Sequence, residues 1–224
     1  MVTPRSRAVL SLVVFCLVVG AAGCAVRHRL PYPEATPRAG DAAGIVVVLE
    51  PVGDDRSDKT LDAILEKAPA EEVSAILARE ISSLPGVGRV IAGNAEPPSG
   101  SHLVVTPSVR RLAWEMVAHD RAASTRLYVG VVSGVIGPLV HGATSIDVHG
   151  HAALAVVVRA VPPSDRRVLE KEYAATANAR VARLKSDLPE TKAEMAARAL
   201  QQVIEQFKAD LSSLVAPARV SSRP

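Results

Sequence analysis

The residues of this chain whose types and spacing best suit chemistry are Asp147, His149 and His151. In a strand alternate side chains share a face, so these three point the same way. Two histidines two residues apart can share a metal ion, and an aspartate beside them is a further donor. However, no His/Glu cluster elsewhere completes a ligand set, and Val148, Ala152, Leu154, Val156 and Val158 form the apolar side of the same segment. The expectation is the solvated face of an amphipathic strand, with no metal and no cofactor. Asp54, Asp55 and Asp58 lack the central glycine and final glutamate of a calcium loop and read as a strand-to-helix turn. Ser133 in VVSGV has no nucleophile-elbow pattern and no base beside it. Gly86-Val87-Gly88 lies between a helix and a strand, the wrong side for a phosphate loop. Arg110-Arg111 and Trp114 read as solvated face and core of one long strand. None of these makes an active site, and the chain is expected not to be an enzyme.

Thiol chemistry is confined to Cys16 and Cys24, both within the opening MVTPRSRAVLSLVVFCLVVGAAGC. Arg5 and Arg7 form a basic start, Ala8 to Val19 an apolar run broken only by Ser11, and Gly20 to Gly23 a small-residue stretch. That is the order of an export signal, and the run is shorter than the roughly 20 residues of a permanent span. Ala21-Ala22-Gly23-Cys24 resembles the lipobox of bacterial lipoproteins, with alanine where the pattern usually has leucine. The resemblance implies removal of residues 1–23 and acylation of Cys24, with more than one chain (palmitate among them) to hold the protein firmly on a membrane. The other reading, an ordinary secretory signal cut near Ala22, leaves Cys24 as a stray thiol. Lipoproteins kept at the inner membrane often carry aspartate after the cysteine. Ala25 stands there instead, which implies the outer membrane, facing the periplasm. With Cys24 acylated no thiol is left for a disulfide, a metal or a nucleophile.

Loss of Arg5 and Arg7 from a chain of net charge +3 leaves 24 basic against 23 acidic residues. No Lys/Arg block points to nucleic acid. Aromatic residues make up 3% of the chain, too few for a stacking platform. About 200 residues remain after the signal, enough for one domain with a real core.

Those residues divide into recognisable elements. Residues 24–43 contain Pro31, Pro33 and Pro37 and read as an extended tether. Ile45 to Leu49, IVVVL, reads as a strand buried on both faces. Pro69 opens a helix with Glu71 and Glu72 in its first turn and a stripe of Val73, Ile76, Leu77, Ile81 and Leu84. Val87 to Ala92 is a second strand, Leu103 to Val117 a long one bent or bulged at Pro107, and Asp147 to Val161 and Arg167 to Arg180 a hairpin. Leu188 to Leu214 is the strongest helix, with Leu200, Val203, Ile204, Phe207, Leu211 and Leu214 on one face. The prediction is a single α+β domain over 44–214: a two-layer sandwich of a mixed, largely antiparallel sheet with two helices on one face, in the order β-α-β-β-insert-β-β-α. Residues 215–224 read as a disordered tail.

The insert is Leu127 to Val140, LYVGVVSGVIGPLV, too short to span a bilayer as a helix. Its aliphatics are either buried over the sheet edge or exposed, and an exposed patch of this kind marks a contact. On the second reading Leu127, Tyr128, Val131, Val132, Val135, Ile136 and Leu139 form a contact segment.

Lipobox, Pro-rich tether, buried strand, the loop Asp54-Asp55-Arg56, amphipathic helix, second strand, long hairpins and final helix form a plan similar to the YajG-like and CsgG/TolB-N-terminal-like periplasmic lipoproteins. The resemblance covers about Gly44 to Leu214 in pattern and order, and no discrete motif carries over. It implies a lipid-anchored, non-catalytic accessory or assembly module of the envelope, acting on a protein partner or as a homo-oligomer. A ligand- or lipid-binding auxiliary lipoprotein of an envelope transporter is the alternative.

Overall fold

The computed structural model of the protein describes residues 27–33, 44–93, 100–117, 145–161, 166–182, 185 and 188–215. The stretch read as a signal with Cys24, the whole Leu127 to Val140 segment including Ser133, and the residues beyond 215 lie outside the described residues. The elements are β1 (Ile45–Leu49), β2 (Gly53–Asp54), a 3-10 turn (Thr60–Ala63), α1 (Pro69–Ser82), β3 (Val87–Ala92), β4 (His102–Val117), β5 (Ser145–Val161), β6 (Arg166–Ala182) and α2 (Pro189–Val215). The strands form one sheet in the order β3-β1-β4-β5-β6, with β2 pairing β4. β1 runs parallel to β3 and β4, and β4, β5 and β6 are antiparallel. This is the expected α+β sandwich. β2 and the 3-10 turn are additions, in a stretch whose sequence reads only as loop.

β1 lies between β3 and β4, and Val47, Val48 and Leu49 are all buried, as a continuous apolar run demands of a central strand. Pro69 occupies the first turn of α1, where its missing N–H costs nothing. Beyond α1, Gly86 takes φ +83°, a left-handed turn that glycine makes without strain. Along β4 the carbonyls of Val105 and Val109 accept hydrogen bonds from Glu50 N (2.9 Å) and Asp55 N (3.0 Å). Pro107, two residues from each, turns the same edge toward a gap where β1 has ended and β2 has not begun. A proline is tolerated there because no donor is needed. The irregularity expected at Pro107 falls instead between Val109 and Arg111, where the β4–β5 register shifts.

Both helices pack on one face of the sheet. Val47, Leu49, Leu103, Val105, Val109, Leu112, Val148, Leu154 and Tyr173 share a single core with Val73, Leu77 and Ile81 of α1 and with Leu200, Ile204 and Phe207 of α2. Each of these large apolar side chains contributes about 1.5–3 kcal/mol by leaving water. The far end of α2 differs from expectation: Leu214 is exposed, and Val215 takes the inward position, against Gly86. Near its start α2 presents Ala193, Ala196, Ala197 and Ala199, all buried, to a sheet that is equally small there at Gly150, Ala152 and Ala177. Small residues on both sides let helix and sheet backbones touch. A Cβ on Gly150 would lie 1.9 Å from the carbonyl oxygen of Met195.

Part of the stretch read as tether belongs to the domain. Leu30 enters the core, His28 N donates to Ile64 O (2.8 Å) and Glu66 N to His28 O (2.9 Å). Arg79 of α1 lies over the ring of Tyr32 and donates to Pro33 O (3.1 Å). Leu30 and Tyr32 supply the apolar surface, and paired backbone groups hold residues 27–33 in place.

Candidate functional site

The side of the sheet away from the helices carries the chemistry. In β5 the even positions Val148, Ala152, Leu154, Val156 and Val158 face the helices, so His149 and His151 face the opposite way. The shift between Val109 and Arg111 governs which β4 residues join them. Before it, the odd-numbered Leu103, Val105 and Val109 point into the core. After it, Leu112 does, and the odd-numbered Ala113 and Glu115 turn outward. Glu115 thereby stands directly opposite His149.

Glu115, His149 and His151 form a compact group whose donor atoms all lie within 4.8 Å of one another. His151 Nε2 is 3.1 Å from Glu115 Oε1, and His149 Nδ1 is 3.8 Å from the same oxygen. The imidazole rings meet edge to face, with centroids 6.3 Å apart. On β6, Thr176 Oγ1 lies 3.1 Å from His151 Nδ1. His151 Nε2 is buried and has no aligned hydrogen-bond partner among the described residues, despite its closeness to Glu115. Asp147 is not part of this group, because Arg180 on β6 donates to it from Nε at 2.8 Å. Two imidazoles and a carboxylate so arranged can share either a proton or a metal ion.

The rest of this face is mixed. Val46, Val104 and Val157 are half-buried, and Val48, Ala113 and Ala153 are buried yet outside the helix-side core. Glu50 joins this surface by accepting from Thr106 Oγ1 and pairing with Arg159 (3.7 Å). No described helix lies on this side.

No family model matches the sequence, and no curated protein matches it. Among solved structures the chain is similar to the hypothetical protein CT253 of Chlamydia trachomatis, with TM-score 0.46 and 11% identity over 78% of this chain and 99% of that one. It is also similar to a homologue of the neuraminyllactose-binding hemagglutinin from Helicobacter pylori, with TM-score 0.42 and 10% identity over 84% and 91%. Lipoprotein GNA1162 of Neisseria meningitidis gives TM-score 0.25 and 8% identity over 74% and 99%. These likenesses are distant and assign no role to any residue here.

The three aspartates of the 54–58 loop do not converge on a common point. Arg56, whose side chain is 1% exposed, donates from Nε and Nη2 to the two carboxylate oxygens of Asp54 (2.8 and 2.9 Å) and from Nη2 to Asp62 (2.8 Å). Lys59 adds a bond to Asp54 (2.8 Å). The Arg56 fork, with Lys59, holds the Asp54 carboxyl well below the usual carboxylate range. Asp55 accepts from Ser108 and pairs with Arg110 (2.9 Å), while Asp58 accepts the Thr60 N–H (2.8 Å). The loop is a buttress that fixes β2 against β4. Trp114 packs on the core under Lys192, whose ammonium sits 4.2 Å from the ring centroid. Thr176, Asn178, Arg198, Gln201, Gln202 and Gln206 line an open groove of about 900 Å³ between β6 and α2.

Glu115 is the member of this cluster that the sequence reading missed. It stands 34 positions before His149 and is useful only because two strands pair in one particular register.

Proposed function

We propose that this chain is a lipid-anchored, periplasm-facing lipoprotein of a bacterial envelope that works by protein contact, without catalysis. The lipobox-like Ala21-Ala22-Gly23-Cys24 supports the anchor. The observation that carries the contact reading is the second face of the sheet, which bears no described helix yet holds Val46, Val104 and Val157 half-buried among charged groups. An apolar centre with a polar rim is the composition of a protein interface. Among the described strands β6 is a long edge, whose outer backbone groups suit pairing with another chain. The groove between β6 and α2 is lined by amide and charged side chains, which do not suit a lipid-carrying pocket at that place. The Leu127 to Val140 segment is the second contact surface of this reading, and the outer membrane is the site of anchoring.

The test combines anchor and contact in one cell. In a Gram-negative host the full-length chain is labelled with an alkyne fatty acid while a photo-crosslinking residue replaces Val157. The expected result is label on the wild type, none on Cys24→Ser, and a discrete crosslinked species that Val104→Asp abolishes. A chain that takes no label, or crosslinks nothing from this face, overturns the corresponding half. Val131→Asp with Val135→Asp, read by native mass in detergent, tests the segment in the same way: an unchanged mass removes it from a self-association interface.

A further inference from the structure

We propose that Glu115, His149 and His151 form a binding site for a divalent transition-metal ion of the zinc type on the helix-free face of the sheet. The donor set is right in kind, since imidazole nitrogen and carboxylate oxygen are ordinary ligands of zinc. It is also right in spacing. Ligand atoms about 2.0–2.2 Å from a tetrahedral ion stand roughly 3.3–3.6 Å from one another. The Glu115 Oε1 distances of 3.1 Å to His151 Nε2 and 3.8 Å to His149 Nδ1 bracket that separation, and all three ligand atoms lie within 4.8 Å of one another.

A second observation points to the same place. His151 Nδ1 is engaged by Thr176 Oγ1 (3.1 Å), which leaves Nε2 as the ring nitrogen turned toward Glu115. That buried nitrogen lies 3.1 Å from a carboxylate oxygen yet has no aligned hydrogen-bond partner among the described residues. A cation bound by both atoms would satisfy it. Thr176 takes the place of a metal site's outer partner, fixing the orientation of the ring. Three protein ligands leave a fourth position open, away from the helices, for water or for a donor from a protein docked on this face. Asp147 is held by Arg180 and serves neither as ligand nor as base. The ion would clamp β4 to β5 beyond the register shift. The site stands whether or not the chain has the anchor and the partner proposed above.

The untagged full-length chain, purified in detergent and stripped with a chelator, is titrated with zinc alone by calorimetry and with cobalt(II) by visible absorption. One ion per chain and the intense spectrum of tetrahedral cobalt are expected. His149→Gln combined with His151→Gln removes both signals. Thr176→Val, which keeps all three ligands, weakens zinc binding about 10–100-fold, the range for outer-partner loss, and Glu115→Gln, which removes the charge of a ligand, weakens it at least as much. Circular dichroism confirms that each variant is folded. If the unsubstituted chain shows no saturable zinc binding, the cluster is only a set of histidine–carboxylate contacts and the proposal is overturned. Binding that survives the double histidine substitution overturns it equally. If that double variant does not fold, unchanged affinity in both Glu115→Gln and Thr176→Val is decisive against it.

Discussion

Replacing Gly150 by alanine adds one methyl group at the point where β5 meets α2. An ideal Cβ there falls 1.9 Å from Met195 O, 2.2 Å from Met195 C and 2.9 Å from Ala196 N. Non-bonded carbon and oxygen require more than 3 Å, so about 1.3 Å of relief is needed. The obstructing atoms are backbone, which no rotamer change can move aside, so α2 must shift as a body. Such a shift disturbs Leu200, Val203, Ile204 and Phe207, all buried on the same helix. Overpacking a well-filled site typically costs 1–3 kcal/mol. A rigid obstacle belongs at the upper end, about 3 kcal/mol, from which the lower entropy of the unfolded alanine chain returns at most about 1. The net 2–3 kcal/mol lowers Tm by roughly 4–12 °C in a domain of this size. The control is Gly100→Ala, where a Cβ meets nothing within 4 Å and the same change in the unfolded chain applies. Thermal and urea unfolding of the three proteins, followed by circular dichroism, read the difference directly. A Gly150→Ala midpoint within about 1 °C of the Gly100→Ala midpoint would falsify backbone contact between β5 and α2.

Two further outcomes follow from the ionic contacts. Lys208 on α2 donates to the buried Glu80 of α1 (2.7 Å) and to Glu205 (3.0 Å). Burial alone would lower the ammonium's pKa, but these bonds outweigh it and raise it. Lys208→Met leaves Glu80 buried without its cation and should cost about 2–4 kcal/mol in urea unfolding, whereas the double variant with Glu80→Gln recovers part of that. Equal losses from the single and double variants would dismiss the clasp. The Asp54 carboxyl is depressed in the folded chain, so its stabilisation is present in full above the ordinary carboxylate pKa, about 3.9, and disappears as pH falls below it. The urea midpoint should therefore drop between about pH 4 and 2 more steeply in wild type than in Asp54→Asn; parallel curves would exclude the Arg56 fork as the cause.

Much of the fold was legible in the sequence because it rests on short-range periodicity. IVVVL between turn residues reads as a central strand, Pro69 with the Val73 to Leu84 stripe as an amphipathic helix, and the alternation from Val148 to Val158 as a one-sided strand. Each pattern is decided by residues within two or four positions of one another. The inward set of α2 was legible for the same reason, except at its last turn, where contact with Gly86 selects Val215 over Leu214.

What the sequence left undecided depends on pairings between distant segments. The buried Glu80 looks like one more solvated charge until α2 brings Lys208 to it. The prolines of 24–43 suggest a free tether, yet Leu30 and Tyr32 find a place against α1 and the 64–66 backbone. Gly150 reads in the sequence as an interruption between two histidines, and its reason is the backbone of a helix some 45 residues later. Most of all, the chain determined that His149 and His151 share a face, because a strand has period two. It could not determine that Glu115 joins them. One extra residue in β4, between Val109 and Arg111, reverses which side every later residue faces, and without it Glu115 would point toward the helices opposite Val148. A register shift is set by how two whole strands pair, so only the tertiary structure could place the third donor.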